Sequence, residues 1–309
     1  MLQTDHIRID PAYREQLCAC SLDRVERVLA RCAGRVAAWS RTTDSLYVSA
    51  RPERPGFYVK RYYYPNWRQR LRGVLRGTFF GMHRGQAEAR LLDEMRLLGL
   101  PAVRPVAYGA RRAGHFVTAC FLITEEVPEA CNLTTFARDV SAGRRTLRHD
   151  QRKRIVCRFA DEVVRLHAAG FAHGQLFWRN VLIRFGLSGE PEFFFLDVRP
   201  RHGGRRLGRG RRWWLRELSC LTASALPFTT RSERMRFLVE YVGARRLPSE
   251  IKQGIREIDR LARRWRRHER KRIKMNDLFD EWNRQLDAED ARLADDTADP
   301  PADIEGATL

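Results

Sequence analysis

No window of this 309-residue chain approaches the roughly 18 to 20 uninterrupted apolar residues that a membrane span needs. Any membrane contact is therefore expected to be peripheral. The opening run Met1-Leu2-Gln3-Thr4-Asp5-His6 lacks a basic stretch leading into an apolar one, which points away from a secretory leader. The seven cysteines are scattered and odd in number, so no disulfide framework is expected. Cys18-Ala19-Cys20 is too tight for a CxxC metal knuckle, and no second pair follows it. Buried thiols in a reducing cytosol are the expectation. There is no internal repeat at solenoid periods and no signature of an RNA-binding module. Acidic residues are scarce, 38 against 58 basic, for a formal charge of +20. Such a surface is drawn to phosphates, whether on nucleic acid, an anionic membrane leaflet or a phosphorylated small molecule. A hydrophobic fraction of 43% is enough for a real core and argues against wholesale disorder.

Local patterns divide the chain. Residues 1–35 read as an N-terminal helical extension, in which Ser21 caps a helix carrying Val25, Val28 and Leu29. Strand-like runs follow from Val36 to Ser49 and from Phe57 to Tyr62, separated by a turn at Pro52, Pro55 and Gly56. Residues 61–85 interleave aromatics and arginines, among them Trp67, Arg68, Arg70, Arg72 and Arg76. Such a pattern can stack on nucleic acid, but an extended insertion with locally packed rings is the favoured reading, and nucleic acid is not expected as a partner. A helix from Gln86 to Leu98 carries Ala87, Leu91, Leu92, Met95 and Leu98 at helical spacing, and Gly99 and Pro101 end it. Strands at Val103–Tyr108 and Phe116–Thr124 run into a linker at Glu125, Glu126 and Val127, where a boundary between two lobes is placed. A long helix from Asp150 to Ala169 follows. After Asp197 the chain is rich in arginine and glycine through Arg212, which reads as flexible. A last long helix carries Ile251, Ile255, Ile258, Leu261 and Trp265 on one stripe. Residues 287–309 are acidic and proline-bearing and read as disordered.

The chemistry is concentrated between residues 173 and 197. His173-Gly174-Gln175-Leu176-Phe177-Trp178-Arg179-Asn180 precedes an apolar strand, a turn and the strand Phe193-Phe194-Phe195-Leu196-Asp197. That is the layout of a kinase catalytic loop: His-x-Asp, four residues, Asn, then a metal-binding Asp beyond the next strand. Asn180 and Asp197 stand where the pattern wants them; Gln175 stands in place of the first Asp. Lys60, inside the strand Phe57–Tyr62, is open to two readings. It faces solvent, or it is the strand lysine that contacts nucleotide phosphates and pairs with a helix glutamate. Glu88 likewise serves either the helix dipole in a first turn or that pairing with Lys60.

In order and spacing, these phrases resemble the lipopolysaccharide kinase (Kdo/WaaP) family, a relative of protein kinases. The resemblance runs from about Val36 to Tyr241 and rests on Tyr58-Val59-Lys60-Arg61-Tyr62, on Glu88 leading to Leu98-Gly99-Leu100-Pro101, and on Pro105-Val106-Ala107-Tyr108-Gly109. Thr124-Glu125-Glu126 and the loop from His173 to Asn180 complete it. It implies an α+β, two-lobed protein-kinase-like fold, with a small antiparallel-sheet lobe over residues 36–127 and a mainly helical lobe over 128–286. It also implies ATP and Mg²⁺ as cofactors. Lys60 would hold the ATP phosphates and Glu88 would fix Lys60, with the adenine against Glu125 and Val127. His173, Gln175, Asn180 and Asp197 would form the catalytic centre, Asn180 and Asp197 holding the metal. Arg199, Arg201 and Arg205 would grip an anionic sugar or glycolipid acceptor. The implied setting is cytoplasmic, peripheral on the inner face of the cytoplasmic membrane. Ser40 to Ser45 occupies the place of a glycine-rich phosphate loop without the glycines. Because a glutamine amide has no useful basicity, Gln175 also leaves open a nucleotide-binding pseudokinase acting as scaffold or regulator.

Overall fold

The computed structural model describes residues 3–31, 34–40, 42–50, 54–66, 82–200, 204–205, 213–244 and 249–298. An antiparallel sheet leads the chain. It comprises β1 (Gln3–Ile9), β2 (Arg35–Ser40), β3 (Thr43–Val48), β4 (Phe57–Tyr63), β5 (Pro105–Ala113) and β6 (Phe116–Glu125), in the order β1-β5-β6-β4-β3-β2. Two short helices, α1 (Arg14–Ala19) and α2 (Val25–Ala30), cover one face. Val25 and Val28 bury there with Leu17 and Leu22 against Phe57, Phe121 and Ile123.

The opening residues depart from the expected helix. Gln3–Ile9 pairs with β5 as an edge strand, Asp5 opposite Arg111, and the Arg111 guanidinium donates to both Asp5 oxygens at 2.9 and 2.7 Å. A seven-residue polar segment has no strong period of its own, and the unpaired edge of β5 decides its conformation. Ser21 is not the expected cap: Arg24 precedes α2, and Ser21 sits in a left-handed turn at φ 55°.

Helix α3 (Arg84–Leu97) lies against the sheet. His83 caps it, its Nδ1 accepting from the Gln86 N–H at 3.2 Å. Gly85 lets the helix approach the strands: a Cβ there would lie 2.2 Å from the Phe121 carbonyl oxygen. The helix thus starts two residues earlier than the sequence pattern indicated, which puts Glu88 beyond its first turn. The dipole role expected for a first turn gives way to a position facing β4.

The second half is mainly helical. It contains β7 (Cys131–Asn132), α4 (Leu133–Ser141), α5 (His149–Ala168), β8 (Phe171–Ala172), β9 (Val181–Phe185), β10 (Pro191–Phe195) and β11 (Gly204–Arg205). Three helices follow: α6 (Trp213–Ala225), α7 (Arg231–Val242) and α8 (Ser249–Ala298). One apolar core joins the halves, with Leu92 and Met95 of α3 packed among Phe159, Phe171 and Phe195. Backbone bonds from Val103 N to Phe195 O (3.0 Å) and from Phe195 N to Pro101 O (2.8 Å) tie the end of α3 to the strand that leads to Asp197. The architecture is α+β, as the family resemblance implied. Among the described residues no helix is long and apolar enough to cross a membrane.

α8 runs through 287–298, where disorder was expected. Extending a formed helix adds one hydrogen bond per residue with no new nucleation cost, so a segment with alanine at 288, 291, 294 and 298 continues it despite its aspartates. Residues 299–309 lie outside the described residues, as do Trp67, Arg68, Arg70, Arg72 and Arg76 of the basic-aromatic stretch.

Candidate active site

Strand alternation puts Lys60 and Tyr62 on one face of β4 and Arg61 on the other. Arg61 turns to the α2 side, where its guanidinium forks onto Asp44 at 2.8 and 2.9 Å and donates to the Arg31 carbonyl at 2.6 Å. Lys60 turns into the cleft. Its ammonium donates to Glu88 Oε1 at 2.9 Å and also to Asp197 Oδ1. The Tyr62 hydroxyl donates to the other Glu88 oxygen at 2.5 Å. The Arg84 guanidinium lies 4.2 Å from the centroid of the Tyr62 ring. Residues 28 and 137 positions apart thus meet at one ammonium.

Burial dominates the electrostatics here. It would lower the Lys60 pKa, but Asp197 and Glu88 outweigh it and hold that pKa well above its ordinary value. Burial raises the Asp197 carboxyl, yet Lys60 and then Arg84 and Arg179 hold it below the usual carboxylate range. Burial raises Glu88, and Lys60 only partly offsets this. Asp197, whose backbone sits at φ 58°, meets the Lys60 ammonium as a carboxylate.

The loop from His173 to Asn180 is pinned on several sides. The His173 and Gly174 N–H groups donate to the buried Glu217 carboxylate of α6, at 2.7 and 3.1 Å. Gly174 adopts φ 84°, which a residue with a Cβ reaches only with strain. His173 Nδ1 accepts from the Gln175 N–H at 3.3 Å, so Nε2 carries the proton and donates to the Leu196 carbonyl at 2.9 Å. Asn180 closes a 3-10 turn, Trp178–Asn180, and its Nδ2 donates to the Gln175 carbonyl at 2.9 Å. Gln175 itself is half-buried, and among the described residues its side-chain amide meets no hydrogen-bond partner.

The remaining sequence-predicted residues are less gathered. Glu125 ends β6, and its N–H donates to the Arg104 carbonyl at 2.9 Å. Val127 packs on the main core, and among the described residues its N–H has no partner. Arg199 is held near the loop by its own N–H, which donates to the His173 carbonyl at 3.1 Å. Arg205 pairs through its backbone with Phe171, and its side chain lies outside the description. Arg201 and residues 206–212 also lie outside it.

The donor set fits a hard cation. With Nδ2 committed to Gln175, the Asn180 amide presents its oxygen on the opposite side. Asp197 adds an ionised carboxylate with one oxygen not used by Lys60. Two such oxygens suit Mg²⁺, which keeps most of its shell for water and substrate phosphate. Among the described residues no group of three or more His, Cys, Asp or Glu side chains stands ready to hold a metal alone.

Sequence reasoning missed Tyr62, Arg84 and Glu217. Tyr62 was findable, because two residues along a strand means the same face as Lys60. Glu217 had a weaker signal, a lone carboxylate inside the apolar run Trp213–Leu221. Arg84 had none.

Three histidines make folding pH-dependent. Burial pushes His173 down to about 4 against the opposing pull of Asp197. It pushes His167 down to about 3, and with Arg112 nearby it pushes His83 down to about 4. The unfolded chain binds these protons below about 6.5 while the folded chain refuses them, so stability falls with falling pH in that window. Each histidine contributes a slope of up to about 1.4 kcal/mol per pH unit. A urea-unfolding series from about pH 7 to about pH 4.5 is expected to show the midpoint dropping steadily; a flat profile would contradict the burial of these rings.

The family model described as the Lipopolysaccharide kinase (Kdo/WaaP) family matches residues 26–241. A solved structure of WaaP in complex with acyl carrier protein superposes with a TM-score of 0.58 at 21% identity, covering 84% of this chain and 98% of that one. The BubR1 kinase domain gives a TM-score of 0.40 at 11% identity over 79% of this chain and 84% of its own. The PknI kinase domain of Mycobacterium tuberculosis gives 0.31 at 18% identity, over 53% and 57%. No curated protein sequence matches the chain. The likeness to WaaP establishes a kinase-like fold.

Proposed function

Because the chain belongs to the lipopolysaccharide kinase (Kdo/WaaP) family, we propose that it transfers the γ-phosphoryl group of ATP to a sugar hydroxyl. The acceptor is a lipopolysaccharide-core sugar or a related anionic glycolipid, met at the cytoplasmic membrane face. The observation that carries this reading is the Lys60 ammonium bridging Glu88 and Asp197 across the cleft. A strand lysine facing solvent would make neither bond.

On this reading Lys60 contacts the α and β phosphates, and Glu88, itself steadied by Tyr62, keeps the ammonium aimed. The Val127 N–H, without a partner among the described residues, and the Glu125 backbone take the adenine edge. Asn180 and Asp197 hold Mg²⁺, which when bound neutralises charge spreading over the transferring phosphoryl oxygens. His173 touches no substrate: buried and neutral, with both ring nitrogens engaged, it positions Leu196 and so the adjoining Asp197. Arg199, with Arg201 and Arg205, grips acceptor phosphates or carboxylates by the fork geometry of guanidinium. A charge of +20 favours contact with an anionic leaflet.

Gln175 orients the attacking hydroxyl without taking its proton. The oxygen–phosphorus bond forms as the bond to ADP breaks, and the proton leaves to solvent. General-base catalysis is worth about 10²–10⁴-fold, so Gln175→Asp is expected to raise turnover by a factor in that range. The assay is transfer of label from γ-labelled ATP to core lipopolysaccharide with Mg²⁺. Equal signal from the wild type and Asp197→Ala sinks the kinase reading. Absence of transfer by both wild type and Gln175→Asp, with Mg²⁺-dependent ATP binding retained, identifies the pseudokinase that the Gln175 substitution also accommodates.

A further inference from the structure

The family match ends at residue 241, yet the loop described above is also held from beyond that point, by α8. The inward stripe of α8 recurs at helical spacing through Gly254, Ile258, Ala262, Trp265 and Glu269. Ala262 and Trp265 pack against Phe177 of the loop and Cys220 of α6, the Trp265 and Phe177 rings meeting edge-on with centroids 6.0 Å apart. One turn on, the buried Glu269 carboxylate forms an ion pair with Arg179, whose guanidinium also covers the Phe177 ring at 4.2 Å. Ser224 joins the two elements: its Oγ lies 3.5 Å from Glu269 Oε1 and accepts from the Trp178 N–H at 3.3 Å. Further along, Arg272 lies close enough to Arg179 and Asp197 for their charges to act on it. The Asn283 amide donates to the Val36 carbonyl of β2 at 2.9 Å. The helix therefore runs from α6, past the loop, to the sheet.

We propose that Glu269 is a positioning residue for metal binding, acting through Arg179. Arg179 is the middle residue of the Trp178–Asn180 turn, directly before Asn180. Burying two charges contributes little net stability, so the consequence of the pair is geometric: it sets where the turn sits. On this proposal the pair holds the turn in the position from which Asn180 joins Asp197 at the metal. Without Glu269 the largely buried guanidinium must turn to another partner, and the turn moves with it. The inference rests on the reading of Asn180 and Asp197 as the metal-holding pair.

The test measures ATP affinity by calorimetry with and without Mg²⁺, beside urea unfolding, for full-length protein. Residues that orient metal ligands typically contribute about 10–100-fold to metal affinity. Glu269→Gln is expected to lower the Mg²⁺-dependent gain in ATP affinity by about 10-fold, with metal-free ATP affinity changed by less than about 2-fold. Arg179→Lys, which keeps the charge but loses the fork, is expected to give a smaller loss of the same kind. A purely structural role predicts a lower unfolding midpoint with an unchanged Mg²⁺-dependent gain, or parallel losses with and without metal. Either result overturns the proposal. Should Glu269→Gln not fold, the apolar pair Arg179→Met/Glu269→Leu replaces it, since it leaves no buried charge unpaired. Retention of the full gain in that pair likewise overturns the proposal. A wild type that binds ATP in a Mg²⁺-dependent way but transfers no phosphate refutes the kinase reading and leaves this test in force. A wild type indifferent to Mg²⁺ overturns both the metal-site reading and this proposal.

Discussion

Asp197→Asn is expected to lower phosphoryl transfer by about 10³-fold or more while the protein remains folded. The substitution keeps the shape and one oxygen but removes the charge that Lys60 and the proposed Mg²⁺ both need. Metal stabilisation of transition-state charge is worth several kcal/mol, and each 1.36 kcal/mol is a factor of ten in rate. A loss of about 4 kcal/mol therefore gives about 10³-fold. The fold should survive because Lys60 keeps Glu88 at 2.9 Å as its remaining counter-charge. The loss should fall on kcat rather than on KM for the acceptor. Steady-state assays at saturating ATP check this, and a variant within about ten-fold of wild type would remove Asp197 from the transfer step.

The second large effect is on stability. Glu217→Ala is expected to destabilise the protein by about 3–5 kcal/mol. The Glu217 carboxylate is the acceptor for two buried N–H groups, those of His173 and Gly174. Leaving a buried donor unpaired costs about 1–3 kcal/mol each, and water has no ready path to a residue that is 1% exposed. Against a typical total of about 5–15 kcal/mol, that is a large share of the stability of the protein. Glu217→Gln, which retains one acceptor oxygen, should lose roughly half as much. Urea-unfolding midpoints for the two variants decide it. Equal, small shifts would mean that the loop finds other acceptors.

Much of the candidate site was legible because its parts are local. Lys60 lies in an alternating strand and Glu88 in a helix of clear period. The loop spacing from His173 to Asn180 is short enough to be recognised residue by residue. The expected pairing of Lys60 with Glu88 is present, and Asp197 joins it. The start of α3 was misplaced because the capping group is a histidine, His83, and because Gly85, which admits the helix to the sheet, resembles a loop residue. Residues 3–9 were misread because an edge strand is specified by its neighbour as much as by its own residues.

By itself the sequence determined the two-part α+β layout and the family, and it marked Lys60, Glu88 and Asp197 as candidates that the fold brings together, since strand alternation, helical period and motif spacing act over a few residues. Only the tertiary structure decided what holds those residues in place. Tyr62 on Glu88, Glu217 beneath the His173–Gly174 turn and Glu269 on Arg179 join positions 26, 44 and 90 apart. Such pairings are selected by shape and by the cost of leaving a buried charge or donor unmatched, and no local pattern encodes them.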